Sequence, residues 1–251
     1  MRKKFSFFSR KSINDAKVQV QVYSATDIGL RRANNEDRFV SLEGKDSPGV
    51  ADAVMIVADG MGGQAHGEVA SGMAVEGIIR CLADQPKDKT LPTGGYTELL
   101  GQVFREVNAE IHLESQGDTY RGMGTPATAA VVTGTRVHIA HLGDSRAYLL
   151  RDGELSQLTR DHSWVAENVE AGNLTLEQAR VHPNRNVITQ AMGINAEPAV
   201  QTKTLDLRDG DLLLLCSDGL HGLAGDDEIK ELLQSGKPEQ AIKDLIQRAK
   251  D

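Results

Sequence analysis

At 251 residues the chain can bury one sizeable core without needing a second domain. It is 39% hydrophobic and 25% charged, as a soluble globular domain is, and apolar runs such as Val54–Ala58 and Leu212–Leu215 fall far short of the ~20 residues that span a bilayer. The net charge of −8 is unevenly spread: residues 1–11 hold five of the 28 basic residues and no acid, leaving 23 basic against 36 acidic residues, or −13, which argues against broad nucleic-acid binding.

The basic start, 1–17, lacks the apolar stretch and cleavage site of a secretory signal. It is expected to be a disordered tail, with Phe5, Phe7 and Phe8 placed to touch an anionic membrane or a partner. Val18, Val20 and Val22 alternate with Gln19 and Gln21, the period-2 pattern of a half-buried strand. Ala53–Ala58 is continuously apolar and ends at Asp59-Gly60, which predicts a central strand with an acid at its tip. A helix from about Glu68 to Leu82 follows, with Val69, Met73, Ala74, Gly77, Ile78 and Cys81 at helical spacing. A second helix, about Tyr96–Glu114, lines up Leu99, Leu100, Val103, Phe104, Val107 and Ile111 on one face. Strands are then predicted at Ala129–Thr133, Arg136–Leu142, Arg146–Leu150 and Glu154–Leu158, the last two joined by the hairpin signal Asp152-Gly153. Residues 162–195 read as a polar, helix-prone insertion. Leu205–Leu215 brings strands again, ending at Ser217-Asp218-Gly219, and amphipathic helices over about 226–234 and 238–250 close the chain. This order suggests antiparallel sheets with helices on their outer faces.

Three acids sit where apolar strands run out: Asp59 in VADGMGG, Asp144 in LGDSR and Asp218 in CSDGL. A buried carboxylate is costly unless paired or bound to a cation. The glycine after Asp59 and after Asp218 lets the backbone turn sharply. A fourth acidic pair, Glu36-Asp37, follows Asn34-Asn35. The set is all oxygen, with no Cys or His at zinc-like spacing, and suits Mg²⁺ or Mn²⁺. Cysteine-based phosphate chemistry is disfavoured. It needs an arginine six residues after the nucleophile, and those positions hold Lys87 after Cys81 and Gly222 after Cys216. Both cysteines read as small buried hydrophobes in a reducing compartment.

The segments GLRRANNED (29–37), VADGMGGQAHGEVAS (57–71), GMGT (122–125), HLGDSRAYLLRDGELSQLTRDHSWV (141–165), HPNRNVITQAMG (182–193) and LLLCSDGL (213–220) occur in this order. Together they resemble the metal-dependent serine/threonine protein phosphatases of type 2C, the PPM family, in their bacterial form. The resemblance implies an α+β fold, an α-β-β-α four-layer sandwich of two mainly antiparallel sheets flanked by helices. It implies two Mn²⁺ or Mg²⁺ ions per chain and a third, weaker site. On that pattern Asp59 bridges both metals, the Gly60 carbonyl reaches the second, and Asp218 holds the first. Glu36 and Asp37 stand near the second, and Asp144 with Asp218 holds the third. Arg32 is the implied grip on substrate phosphate, a task suited to a guanidinium fork. Such a metal pair lowers the pKa of a water at neutral pH.

For the leaving-group proton His66 is one candidate, and a surface or helix-start residue is its other reading; bacterial relatives often carry histidine where this chain has Gln64. His162 opens the insertion as a structural or substrate-facing residue. The insertion itself resembles the family's flap and is expected to govern substrate choice. Pro126 stands where the family usually has a second threonine. Family members usually continue into a further strand introduced by Gly-Gly-x-Asp-Asn, whose first Asp is another metal ligand; the sequence ends at Asp251. The expected domain, 18–251, is therefore without that strand and leaves a sheet edge partly uncovered. The resemblance implies a phosphoprotein substrate, a serine/threonine kinase or its targets as partners, no nucleic acid, a monomer and a cytoplasmic location. The alternative is a catalytically weak phosphatase-like domain that binds or regulates a phosphoprotein.

Overall fold

Side chains that alternate in direction along a strand decide which layers it separates. In the computed structural model, which describes residues 3–14, 17–30, 34–49, 51–61, 66–85 and 94–250 (for 3–14, 17 and 18 the backbone only), two five-stranded antiparallel sheets lie face to face. The chain runs β1 (Lys3–Asn14), β2 (Lys17–Asp27), β3 (Asp37–Glu43), β4 (Ala53–Asp59), α1 (Gly67–Ala83), α2 (Gly95–Ser115), β5 (Ala127–Thr133), β6 (Arg136–Leu142), β7 (Arg146–Arg151) and β8 (Glu154–Gln157). It continues through α3 (Trp164–Glu170), α4 (Leu176–Val181), β9 (Gln201–Asp206), β10 (Leu212–Cys216), α5 (Asp218–His221), α6 (Asp226–Gln234) and α7 (Pro238–Arg248). One sheet has the order β3-β4-β5-β6-β9 and the other β2-β1-β10-β7-β8.

Three apolar layers follow from this order. Val54, Ile56 and Ala58 of β4, with Ala129 and Val131 of β5, face α1 and α2. Met55 and Val57 point the other way, meeting Leu213 and Leu215 of β10 between the sheets. Leu214 and Cys216 turn outward again onto α5–α7, against Tyr148, Ile229 and Leu245. A fully buried Leu or Ile contributes ~2 kcal/mol, against ~0–1 kcal/mol for an exposed ion pair such as Arg121–Asp118. The layers therefore hold the sandwich, and the predicted four-layer α+β architecture is the one observed.

The structure corrects the expectation of a disordered start. Lys3–Asn14 is a strand inside its sheet, paired to β2 from Lys3↔Asp27 to Asn14↔Lys17 and to β10 from Phe5↔Cys216 to Ser9↔Leu212. The physical reason lies in β10. Its buried backbone groups need partners on both sides, and β7 supplies only one. β1 supplies the other.

Candidate metal centre

Asp59 is carried to the rim of its sheet by six buried residues, Ala53–Ala58. In the β3–β4 register it stands opposite Asp37, the first residue of β3. Two carboxylates facing each other across paired strands are destabilising by themselves. The corner is nonetheless tightly built. Asp59 N–H donates to Pro126 O at 3.1 Å, and Gly60 N–H donates to Glu36 O at 3.2 Å. Ser71 of α1 donates its hydroxyl to the same Glu36 carbonyl. Asn35 Oδ1 accepts from Asp37 N–H at 3.3 Å, a turn that explains the asparagine before the acids. Gly60 has no substitute: a Cβ there would stand 1.9 Å from Gly67 O and 2.5 Å from Glu36 O.

Asp144 lies in the connection that crosses from β6 in one sheet to β7 in the other, and Asp218 begins α5 directly after β10. The Asp144 loop is held at successive residues. Gly143 N–H donates to His162 Nδ1 at 3.0 Å, and Gly143 O accepts from His162 N–H at 2.7 Å. His221 Nε2 donates to Asp144 O at 3.0 Å. The Thr128 hydroxyl lies 3.2 Å from Ser145 O and 2.9 Å from His141 Nδ1. His141 Nε2 donates to Arg160 O at 3.0 Å, so His141 carries its proton on Nε2 and accepts on Nδ1.

Charge explains the remainder. Burial, then Asp37, Asp218 and Asp144, push the Asp59 carboxyl well above the ordinary range. Burial, then Asp218 and Asp161, push Asp144 up to about 8. Arg146 opposes that rise but is already engaged. Its Nε and Nη2 donate to Asp161 at 2.9 and 2.7 Å, and its Nη1 donates to Tyr148 Oη at 2.8 Å. Burial alone would raise the Asp161 carboxyl, but the Arg146 guanidinium brings it below its usual value. Burial, then the charge of Arg146, lowers His221 to about 3; burial, then His162, lowers His141 to about 4. Both imidazoles are neutral and committed to backbone or hydroxyl groups.

Four aspartates from four stretches of chain thus share one rim with a deficit of positive charge. His141 has both ring nitrogens engaged and His221 its Nε2, the acids offer oxygens, and Ser145 Oγ and Ser217 Oγ are buried beside two of the acids without a hydrogen-bond partner. Among the described residues no group of three or more His, Cys, Asp or Glu is gathered closely enough to hold a metal ion as it stands. An open, all-oxygen set with orphaned hydroxyls fits a hard cation that keeps much of its water.

Of the residues singled out from sequence, Asp37, Asp144 and Asp218 lie close enough to Asp59 to raise its carboxyl, and Glu36 and Gly60 adjoin the Asp37–Asp59 pair. Arg32 and Gln64 lie outside the described residues. His66 precedes α1 as its N-terminal flanking residue and stacks edge-on against Tyr120, with ring centres 5.4 Å apart. Sequence reasoning missed Ser71, Thr128, Arg146 and Asp161. Nothing in the TRDHSW segment marks Asp161 as the partner of an arginine fifteen positions earlier.

Comparison with known proteins identifies the family. The family profile described as protein phosphatase 2C matches residues 31–249. The serine/threonine phosphatase stp of Listeria monocytogenes is 42% identical over 213 residues, 84% of this chain and 81% of that protein. The solved S. agalactiae serine/threonine phosphatase superposes with a TM-score of 0.79 at 36% identity, covering 89% of this chain and 90% of that one. The catalytic domain of the serine/threonine protein phosphatase PstP, solved with two manganese ions, gives 0.71 at 35% identity over 98% and 92% of the two chains. A profile match across most of the length, with relatives of this identity and coverage, places the molecule: the chain belongs to the protein phosphatase 2C family.

Proposed function

We propose that this chain is a metal-dependent protein phosphatase that hydrolyses phosphoserine and phosphothreonine. The observation that supports the reading is the buried Asp59 carboxyl pushed up by Asp37, Asp218 and Asp144, an excess of negative charge that a cation would offset. Asp59 would be shared between two ions, with the Gly60 carbonyl and the Glu36-Asp37 corner toward one and Asp218 toward the other. Asp144 with Asp218 would hold a third, weaker ion. When bound, Mn²⁺ or Mg²⁺ supplies Lewis acidity that makes water nucleophilic at neutral pH and offsets charge on a phosphoryl group.

The chain's own work is placement. Paired strands fix Asp59 against Asp37, the clamped 143–145 loop fixes Asp144, and the start of α5 fixes Asp218. Arg32, by its position in the motif, would grip the phosphate as a bidentate donor. His66 is a candidate to protonate the leaving oxygen. In this reading the substrates are phosphoproteins, the targets of a serine/threonine kinase, and the protein acts as a cytoplasmic monomer. Among the described residues no helix is long and apolar enough to cross a membrane.

The test is hydrolysis with and without Mn²⁺ of an aryl phosphate, a phosphothreonine peptide and a nucleotide. Metal-dependent turnover of the first two is expected. Peptide binding without turnover, or turnover of the nucleotide alone, would remove the proposal. The 162–195 insertion would select substrates: replacing Gly172–Val181, its tip, by a short Gly-Ser link should change peptide preference more than aryl-phosphate turnover. The opposite ranking would defeat that role.

A further inference from the structure

The insertion does not merely stand beside the metal rim; one of its residues is bonded to it on several sides. His162 donates its backbone N–H to Gly143 O at 2.7 Å and accepts Gly143 N–H on ring Nδ1 at 3.0 Å. Its own carbonyl accepts Thr189 N–H at 2.9 Å, from the returning limb of the insertion. The next residue, Ser163, bridges to Ile188, and Trp164 N–H donates to Val187 O at 2.9 Å. His162 also stacks on the buried His141 ring, centres 5.1 Å apart and planes 25° from parallel. Gly143 has φ of +114°, and a Cβ there would fall 2.5 Å from Pro126 Cβ. Gly143, the residue before Asp144, is thus pressed against Pro126 and tied to His162 through both its N–H and its carbonyl.

We propose that His162 is a positioning residue for the metal rim: by holding the N–H and the carbonyl of Gly143 through its Nδ1 and its backbone, it sets the orientation of the Asp144 carboxylate and couples the 162–195 insertion to that edge of the site. Arg146–Asp161 braces the same corner from below, since Asp161 precedes His162 and Arg146 follows Asp144 by two residues. The insertion and the Asp144 loop therefore move together. The inference rests on the phosphatase reading only for what the metal does; the coupling itself is a matter of metal binding.

Asparagine places an acceptor oxygen where histidine has Nδ1, whereas glutamine places it one atom further out. The full chain and its His162→Asn, His162→Gln and His162→Ala variants are titrated with Mn²⁺ alone, following loss of the free-ion paramagnetic resonance signal. The Mn²⁺ dependence of aryl-phosphate hydrolysis is measured in parallel. Loss of an outer contact of this kind weakens metal affinity by ~10-fold. The Gln and Ala variants should raise the Mn²⁺ concentration needed to fill the weakest site by about that factor, with kcat at saturation changing far less. The Asn variant should restore binding to within about two-fold. If His162→Ala does not fold, the Asn–Gln pair still decides. Equal Mn²⁺ curves for Asn and Gln, or a wild-type curve for Ala, would overturn the proposal. A wild-type chain that binds Mn²⁺ without hydrolysing phosphate would defeat the phosphatase reading and leave the coupling to be judged by the resonance titration.

Discussion

In the proposed reading a bound cation answers the charge of Asp59. That carboxyl is pressed by burial and three neighbouring carboxylates, so removing its charge should separate folding from function. Asp59→Asn is expected to melt higher than the parent in the absence of metal, to lose the stabilisation that Mn²⁺ confers, and to lose turnover by at least ~1,000-fold. Thermal melts with and without Mn²⁺, beside an aryl-phosphate assay, check all three; a variant still stabilised by Mn²⁺ would show that Asp59 is not a ligand. Asp144→Ala should act more narrowly, flattening only the response to high Mn²⁺. These acids were legible because each ends an apolar strand, a pattern a single sequence displays. Their supports were not. Thr128, Arg146 and Asp161 are ordinary residues until folding brings Ser145 O to the first and joins the other two.

At the scale of elements, helices were read well because their faces are local. All six apolar residues expected on the inner face of α2 are buried. Strands failed where the period-2 pattern is broken by serving two cores at once. In β3, Phe39 packs between the sheets while its neighbour Val40 packs under α1, so DRFVSLE shows no clean alternation. The clearest failure is β1, whose basic composition looked like a tail, although its place is fixed by the unmet backbone of β10. The consequence can be tested by deleting residues 1–14. Loss of a strand with partners on both sides should lower the thermal midpoint by more than ~10 °C or abolish cooperative unfolding. The comparison is a circular-dichroism melt of the deletion and the parent. A midpoint within ~2 °C of the parent would return these residues to the role of a tail.

In the whole molecule the site is a seam. Asp37 and Asp59 come from one sheet, Asp218 follows a strand of the other, and Asp144 lies in the connection between them. No single-sequence pattern states that two sheets will meet at those ends; only the long-range pairings do. The same seam gives stability a pH dependence whose sign depends on metal. His138 and His141 have folded-state values near 4 and His221 near 3, below the ~6.5 of an unfolded histidine, chiefly through burial. Their stabilisation is therefore complete above pH ~6.5 and is lost as pH falls toward 4. Asp144, near 8, and Asp59, also raised, act in the opposite sense. Above the ~3.9 of an unfolded aspartate the folded state binds the extra proton, so stability falls as pH rises toward 8. Without metal the two effects oppose one another below pH ~6.5, and only the acid effect remains above it. Stability should then decline between pH 6.5 and 8 by up to ~1.4 kcal/mol per pH unit from Asp144, with Asp59 acting in the same direction. With saturating Mn²⁺ the carboxylates stay ionised and that decline should vanish, leaving a plateau above pH 6.5. Urea midpoints at pH 6.5 and 8, with and without Mn²⁺, measure the difference directly. Parallel slopes in the two series would mean that these acids do not answer to one shared cation site.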